Sequence, residues 1–185
     1  METIKYASEI VKELHLSVEQ IADADAETFA DIILQANKVF VAGAGRSGLM
    51  GRAFAMRLMH TGINAHVVGE TVTPGIDKDD VLIIGTGSGE TRSLIPMAQK
   101  AKSLGASIIA VTIAPESTIG SLADALVKLP GSPKDQTRGG HSTMQPMASL
   151  FEQTLLVFYD AVILRMMDKR QLDSGRMYGR HANLE

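Results

Sequence analysis

Apolar residues fall along this chain in two rhythms. Through the first 36 residues they recur at mostly helical spacing, with Ile21, Phe29, Ile32 and Ile33 as the repeating positions. Ser17-Val18-Glu19-Gln20 reads as a capping box, in which the Ser17 hydroxyl and the Gln20 amide satisfy free N–H groups at a helix start. From Lys38 the pattern changes to short apolar runs of strand length: Val39–Ala42, Ala65–Val68, Val81–Ile84, Ser107–Thr112 and Ala125–Leu129. Helical segments are expected near Ser47–His60, Glu90–Ser103 and Ser117–Ala123. Strands without polar alternation, separated by helix-length segments, form parallel βαβ units covered on both faces.

The expected fold class is therefore α/β, a three-layer αβα sandwich around a five-stranded parallel sheet of flavodoxin-like order. Residues 1–36 form a helical arm, 37–130 the core, and 146–185 a C-terminal helix and tail, all within one domain 1–185. Pro130-Gly131-Ser132-Pro133-Lys134 reads as a loop. Pro146 is placed in the first turn of a long apolar helix that runs to about Met167. Met144, Met147, Leu150, Phe151, Leu155 and Phe158 make an apolar stripe that fits core or subunit interface. The tail from Arg176 to Glu185 follows no apolar face and fits a solvated end equally well.

Composition narrows the classes. A chain of 185 residues with 45% hydrophobic and 21% charged residues matches a single globular domain, not disorder or coiled coil. The net charge of −3 comes without a basic block, and there are only five Phe, three Tyr and no Trp. That is a poor surface for nucleic acid, so no nucleic-acid partner is expected. The absence of cysteine excludes disulfides, thiolate nucleophiles and Cys-ligated zinc. Met1-Glu2-Thr3-Ile4-Lys5 carries no signal-like apolar region, and Leu155–Leu164 is too short to span a bilayer and contains Asp160. A cytoplasmic protein with no membrane partner is expected.

Two glycine-rich loops carry the candidate chemistry. The first strand runs into Gly43-Ala44-Gly45-Arg46-Ser47-Gly48, a dinucleotide-type G-x-G-x-x-G, with Glu70 lying 22 residues beyond Gly48. Taken alone this supports a nicotinamide-dependent reductase, but the chain lacks the length for a second nucleotide-binding half. A second loop, Gly85-Thr86-Gly87-Ser88-Gly89-Glu90-Thr91, follows the third strand and is not needed by that reading. Glycines let backbone N–H groups approach an anion, a helix start adds partial positive charge, and Thr86, Ser88 and Thr91 add hydroxyls. Such a cup suits a phosphate monoester, although Ser88 capping a helix in a plain turn accounts for the same residues. With Arg46 and Ser47 facing Ser88, one small phosphorylated ligand explains both loops.

Glu152 is the only Asp, Glu, Lys or Arg between Arg138 and Asp160. Its helical neighbours are Ala148, Ser149, Leu155 and Leu156, so its face is small or apolar. Desolvation there would make the carboxylate more basic, which suits a general base, yet a partner for an arginine fits equally well. His60 closes a predicted helix. His15, His66 and His141 read as structural or solvated, and the five histidines show no metal-ligand spacing, so no metal site is expected.

The string Thr86-Gly87-Ser88-Gly89-Glu90-Thr91 resembles the phosphate loop of the sugar isomerase (SIS) domain family. Gly45-Arg46-Ser47-Gly48, Met56-Arg57-Leu58-Met59-His60, Gly69-Glu70-Thr71-Val72-Thr73-Pro74 and the ending Arg180-His181-Ala182-Asn183-Leu184-Glu185 are similar to its 6-phospho-3-hexuloisomerase branch, across essentially the whole chain. Gly87 departs from the glutamine of many SIS domains, so no amide contact is expected there. The resemblance implies interconversion of D-arabino-hex-3-ulose 6-phosphate and fructose 6-phosphate through an enediolate, in the ribulose monophosphate pathway of formaldehyde fixation. It implies no cofactor, and a homotetramer. It assigns proton transfer to Glu152, with His60 and His181 as assisting candidates and the tail reaching a neighbouring site. Substrate and phosphate contacts fall to Arg46, Ser47, Thr86, Gly87, Ser88, Gly89, Glu90 and Thr91. A non-catalytic SIS-type sugar-phosphate sensor stays open beside the reductase.

Overall fold

Alternating side chains along each strand feed two separate apolar layers, and this is why the sheet lies buried between helices. In a computed structural model describing residues 2–132 and 143–184, five strands are present: β1 (Val39–Gly43), β2 (Ala65–Val67), β3 (Val81–Gly85), β4 (Ser107–Thr112) and β5 (Ala125–Lys128). They form one parallel sheet in the order β2-β1-β3-β4-β5. The flavodoxin-like order expected from the sequence is the observed one.

Val39, Val41, Val81, Ile83, Ile109 and Val111 point to one face. There they meet α2 (Asp23–Gln35), α3 (Gly45–Thr61) and α6 (Ser149–Lys169), through residues such as Phe29, Phe54, Leu58, Leu155 and Tyr159. The alternate residues Phe40, Ala42, Leu82, Ile84, Ile108 and Ala110 pack on α4 (Ile95–Ser103) and α5 (Thr118–Leu122) through Leu94, Ala98, Ala101 and Ile119. The first helix, α1 (Thr3–Val18), crosses α6 from outside, and a short α7 (Ser174–Tyr178) ends the fold. Among the described residues no helix is long and apolar enough to cross a membrane.

Three expected boundaries are corrected. Ser17 does not open a helix: its hydroxyl donates to the Glu13 carbonyl (2.9 Å) and Gln20 Nε2 donates to the Leu16 carbonyl (2.9 Å). Both side chains thus serve the end of α1, and α2 starts later, at Asp23. Residues 90–94 are not part of α4. The Glu90 carboxylate is caught by Thr118, and helix begins at Ile95 with Pro96 in its first turn. Likewise Pro146 lies before α6, because Met147 adopts a left-handed backbone (φ 56°) that no α-helix accommodates. Of the 130–134 loop, Pro133 and Lys134 lie outside the described residues, as does His141.

Candidate functional site

The chain leaves β1 towards α3 on one face of the sheet and leaves β3 towards α4 on the other. β1 and β3 are direct neighbours, with Gly43 in register with Gly85. Diverging connections from adjacent strands open a crevice at the carboxyl edge, the position where open α/β sheets bind ligands. Both glycine-rich loops border it. Gly43 and Gly48 explain the first motif sterically: a Cβ on Gly48 would lie 2.7 Å from the Gly43 carbonyl oxygen. Only glycine lets α3 start so close to the strand it leaves. Glu70, the acidic residue the dinucleotide pattern requires, is paired with Arg52 at 2.8 Å.

The second loop is braced from behind by the β4–α5 connection. The Gly87 carbonyl accepts from the Thr112 hydroxyl (3.0 Å) and from Ile113 N–H (3.2 Å). Ile119 N–H donates to the Gly89 carbonyl at 3.1 Å. Inside the loop, the Thr86 and Thr91 hydroxyls lie 3.1 Å apart, and Thr86 Oγ1 accepts from Gly89 N–H. Glu90 N–H donates to Ser88 Oγ (3.2 Å), leaving the Ser88 side chain at the exposed rim. Glu90 itself turns away: its carboxylate accepts from Thr118 N–H (2.6 Å) and from the Thr118 hydroxyl (2.8 Å). Those two bonds hold it below the usual carboxylate range. With the Gly87 and Gly89 carbonyls bonded to Thr112, Ile113 and Ile119, the loop offers the hydroxyls of Thr86, Ser88 and Thr91 as groups suited to an anion.

Glu152 closes the crevice from α6. It is buried at 7% exposure, and its Oε2 lies 3.2 Å from Arg46 Nη1. The same guanidinium nitrogen donates to Ser149 Oγ at 2.9 Å. Arg46 sits in the first turn of α3, directly after the first loop, and Phe151 beside Glu152 packs over Gly87. The carboxylate is thus buried and paired with an arginine, the second of the two alternatives the sequence left open. Ser47 lies half-exposed at the same mouth.

The histidines are elsewhere. His60 ends α3, 14 residues beyond Arg46, which at 1.5 Å per residue puts it about 21 Å away. His60 and His181 rings stack 5.4 Å apart, and Arg180 Nη1 donates to the His60 carbonyl at 3.2 Å. The tail therefore folds back on its own α3 and is not a frayed end. Burial, then the nearby Arg57 and His181, push His60 below the ordinary imidazole value. The pair lines a cavity of about 470 Å³ with Arg57, Asp160, Met167 and Tyr178. A larger hollow of about 630 Å³, between Gln20, Asp25, Lys128 and Gly131, contains none of the expected site residues. His66 packs against Phe40, and His15 pairs with Glu19 on the surface.

The structure thus gathers Arg46, Ser47, Glu152 and the 86–91 loop at one edge and sets His60 and His181 at the other. Sequence reasoning missed Thr112, Ser117 and Thr118, which shape the loop from a different connection, and Ser149, which shares Arg46 with Glu152. Only Ser149 left a signal, three residues before Glu152 on the same helical face. Among the described residues no group of three or more His, Asp and Glu could hold a metal ion.

A family model described as SIS domain matches residues 32–163. The 3-hexulose-6-phosphate isomerase of Bacillus subtilis (strain 168) is 58% identical over 185 residues, covering all of both chains. That of Mycobacterium gastri is 42% identical over 184 residues, covering 96% of this chain and 92% of that one. Among solved structures, a Methanococcus jannaschii protein for which a function of 3-hexulose-6-phosphate isomerase was inferred superposes with a TM-score of 0.84 at 33% identity. That match covers 98% of this chain and 99% of the other.

Proposed function

Because the chain belongs to the SIS domain family, we propose that it interconverts D-arabino-hex-3-ulose 6-phosphate and D-fructose 6-phosphate. That places it in the ribulose monophosphate route of formaldehyde fixation, in the cytoplasm. The carrying observation is the buried Glu152 carboxylate against Arg46, beside a braced hydroxyl loop at the switch point of the sheet. The two loops, through Ser47 of the first and Thr86, Ser88, Thr91 and the backbone of Gly87 and Gly89 of the second, bind the phosphate and so fix one end of the open-chain sugar. Glu90 serves by anchoring the loop to Thr118.

Glu152 then takes the proton from C2. Electrons of that C–H bond form the C2–C3 double bond of an enediolate, and the C3 carbonyl oxygen gains the negative charge. Arg46 stabilises that charge, and the proton returns from Glu152 to C3 while a carbonyl forms at C2. A further group must carry a proton between the two oxygens. A neutral imidazole, which both accepts and donates, fits this task, and burial keeps His60 neutral near pH 7.

Within one chain His60 is too far from Glu152 to act. We therefore place His60 and His181 of one subunit in the crevice of another, within a homotetramer. Exposed Leu49, Met56 and Met59 on the outer side of α3, and Ile4, Val11 and Leu16 on α1, supply apolar surface for such contacts.

A coupled assay of hexulose phosphate isomerisation tests the activity. Glu152→Gln should lower kcat by about 10²–10⁴ while fructose 6-phosphate still binds, and should stop solvent deuterium entering C2 and C3. Turnover within about tenfold of wild type would place the base elsewhere. Mixing Glu152→Gln with His60→Ala subunits should restore activity, because some crevices then receive an intact residue from each chain. No recovery on mixing would refute the shared site.

A further inference from the structure

Glu13 lies on the outer helix α1, far along the chain from every residue of the crevice, yet it is bound to the segment that launches α6. Its carboxylate accepts from the Thr143 hydroxyl (2.6 Å), from Met144 N–H (2.9 Å) and from Gln145 Nε2 (2.9 Å). Thr143 Oγ1 in turn accepts from Gln145 N–H at 3.1 Å, so three consecutive residues are gathered around one carboxylate. Burial alone would raise the Glu13 carboxyl, but the three bonds outweigh it and hold the group below the usual range.

The gathered segment leads directly into the turn before α6. Two residues on, Met147 adopts φ 56°, a left-handed backbone that disfavours a non-glycine residue. Such a conformation persists only where the surroundings over-determine it. On the far side the chain enters α6 at once, with Glu152 N–H bonded to the Ala148 carbonyl at 3.0 Å and Ser149 Oγ held by Arg46. The turn is thus pinned to α1 at its start and to α3 at its end, and Glu152 projects from the first helical turn after it.

We propose that Glu13 is a positioning residue for Glu152: by clamping the 143–145 segment it fixes where α6 begins, and so where the Glu152 carboxylate meets Arg46 and substrate. This rests on the reading of Glu152 as the base. Loss of the clamp leaves the phosphate loop intact, since that loop is braced by Thr112 and Thr118. Substrate should bind nearly as before and react more slowly.

The experiment is kcat per binding-competent site, with sites counted by calorimetric titration with fructose 6-phosphate. Glu13→Gln keeps one acceptor oxygen where the carboxylate offers two. It should lower kcat per site by roughly ten- to a hundredfold, as a displacement of the base on the order of 1 Å does, while Kd changes by less than about threefold. Thr143→Val should act in the same direction, and the double variant should lose less than the sum of the two, because both remove one network. A purely structural Glu13 would lower the melting temperature and the number of sites but leave kcat per site unchanged. That result in Glu13→Gln overturns the proposal, and in Thr143→Val it does so if Glu13→Gln does not fold. If Glu152→Gln itself remains active, the base assignment fails and the clamp falls with it. If Glu152→Gln is inactive and Glu13→Gln is unaffected per site, the clamp alone fails.

Discussion

Replacing Gly89 by alanine adds one methyl group at the tightest point of the 86–91 loop. The backbone there has φ +64°, and an L-residue in the left-handed region costs about 1–2 kcal/mol. The new Cβ would also lie 1.7 Å from Ser117 Oγ and 2.4 Å from Ser117 Cβ. Carbon contacts are normally about 3.5–4.0 Å, so one of the two loops must move. Ser117 is not free to do so: it is the N-cap of α5, and its hydroxyl accepts from Gly120 N–H at 3.2 Å. Overpacking of this kind costs about 1–3 kcal/mol, so Gly89→Ala should lose about 2–5 kcal/mol in all. The two contributions can be separated, because Ser117→Gly removes both clashing atoms, while glycine at an N-cap costs only about a few tenths of a kcal/mol. In that background Gly89→Ala should lose only the backbone share of about 1–2 kcal/mol. Denaturant unfolding of the four proteins measures the stability cycle, and calorimetry with fructose 6-phosphate should show weaker binding in Gly89→Ala that the second substitution partly restores. A loss below about 1 kcal/mol in Gly89→Ala, or no recovery with Ser117→Gly, would refute the account of how the loop is held.

Ser88→Ala should weaken fructose 6-phosphate binding by about 1.5–3 kcal/mol, the value of a hydrogen bond to a charged group, as read by calorimetry. Unchanged affinity would remove Ser88 from the phosphate contacts. The folded state holds His60 below its ordinary value of 6.5, so protonation favours unfolding. Its stabilising contribution is complete above that pH and is lost as pH falls through the lowered value, and His60→Asn should flatten this part of a stability–pH curve. Glu27 is held at about 2 by hydrogen bonds from Arg165 and then Lys169. Its contribution is present above pH 4.5 and is lost as pH falls towards 2, so Glu27→Gln should reduce the acid sensitivity measured between those limits.

The sheet was legible in the chain because parallel strands buried on both faces need apolar residues at every position, and that is a local property of the sequence. Val39–Ala42 and Val81–Ile84 carry it without interruption. The two glycine loops were legible for a related reason. Gly43, Gly48 and Gly89 stand where a side chain would collide with backbone or with Ser117, and each such position leaves a glycine in the sequence. Helix boundaries were less so, since they were decided by partners far along the chain. Ser17 could cap a helix, but its hydroxyl found a carbonyl within α1, and Glu90, which reads as the start of α4, is held by Thr118. Pro146 belongs in a helical turn by its own geometry, yet the next residue takes a left-handed backbone while Glu13 grips the segment before it. The same division runs through the site. A lone carboxylate on an apolar helical face marked Glu152 from sequence alone, because burial of a charge requires a reason. That Arg46 is the charge it meets, and that His60, about 21 Å from Arg46 at the other end of α3, lies away from it, depends on two helices packing side by side in the same direction. Pairings between groups a hundred residues apart leave no periodicity in the chain, and only the folded molecule brings them together.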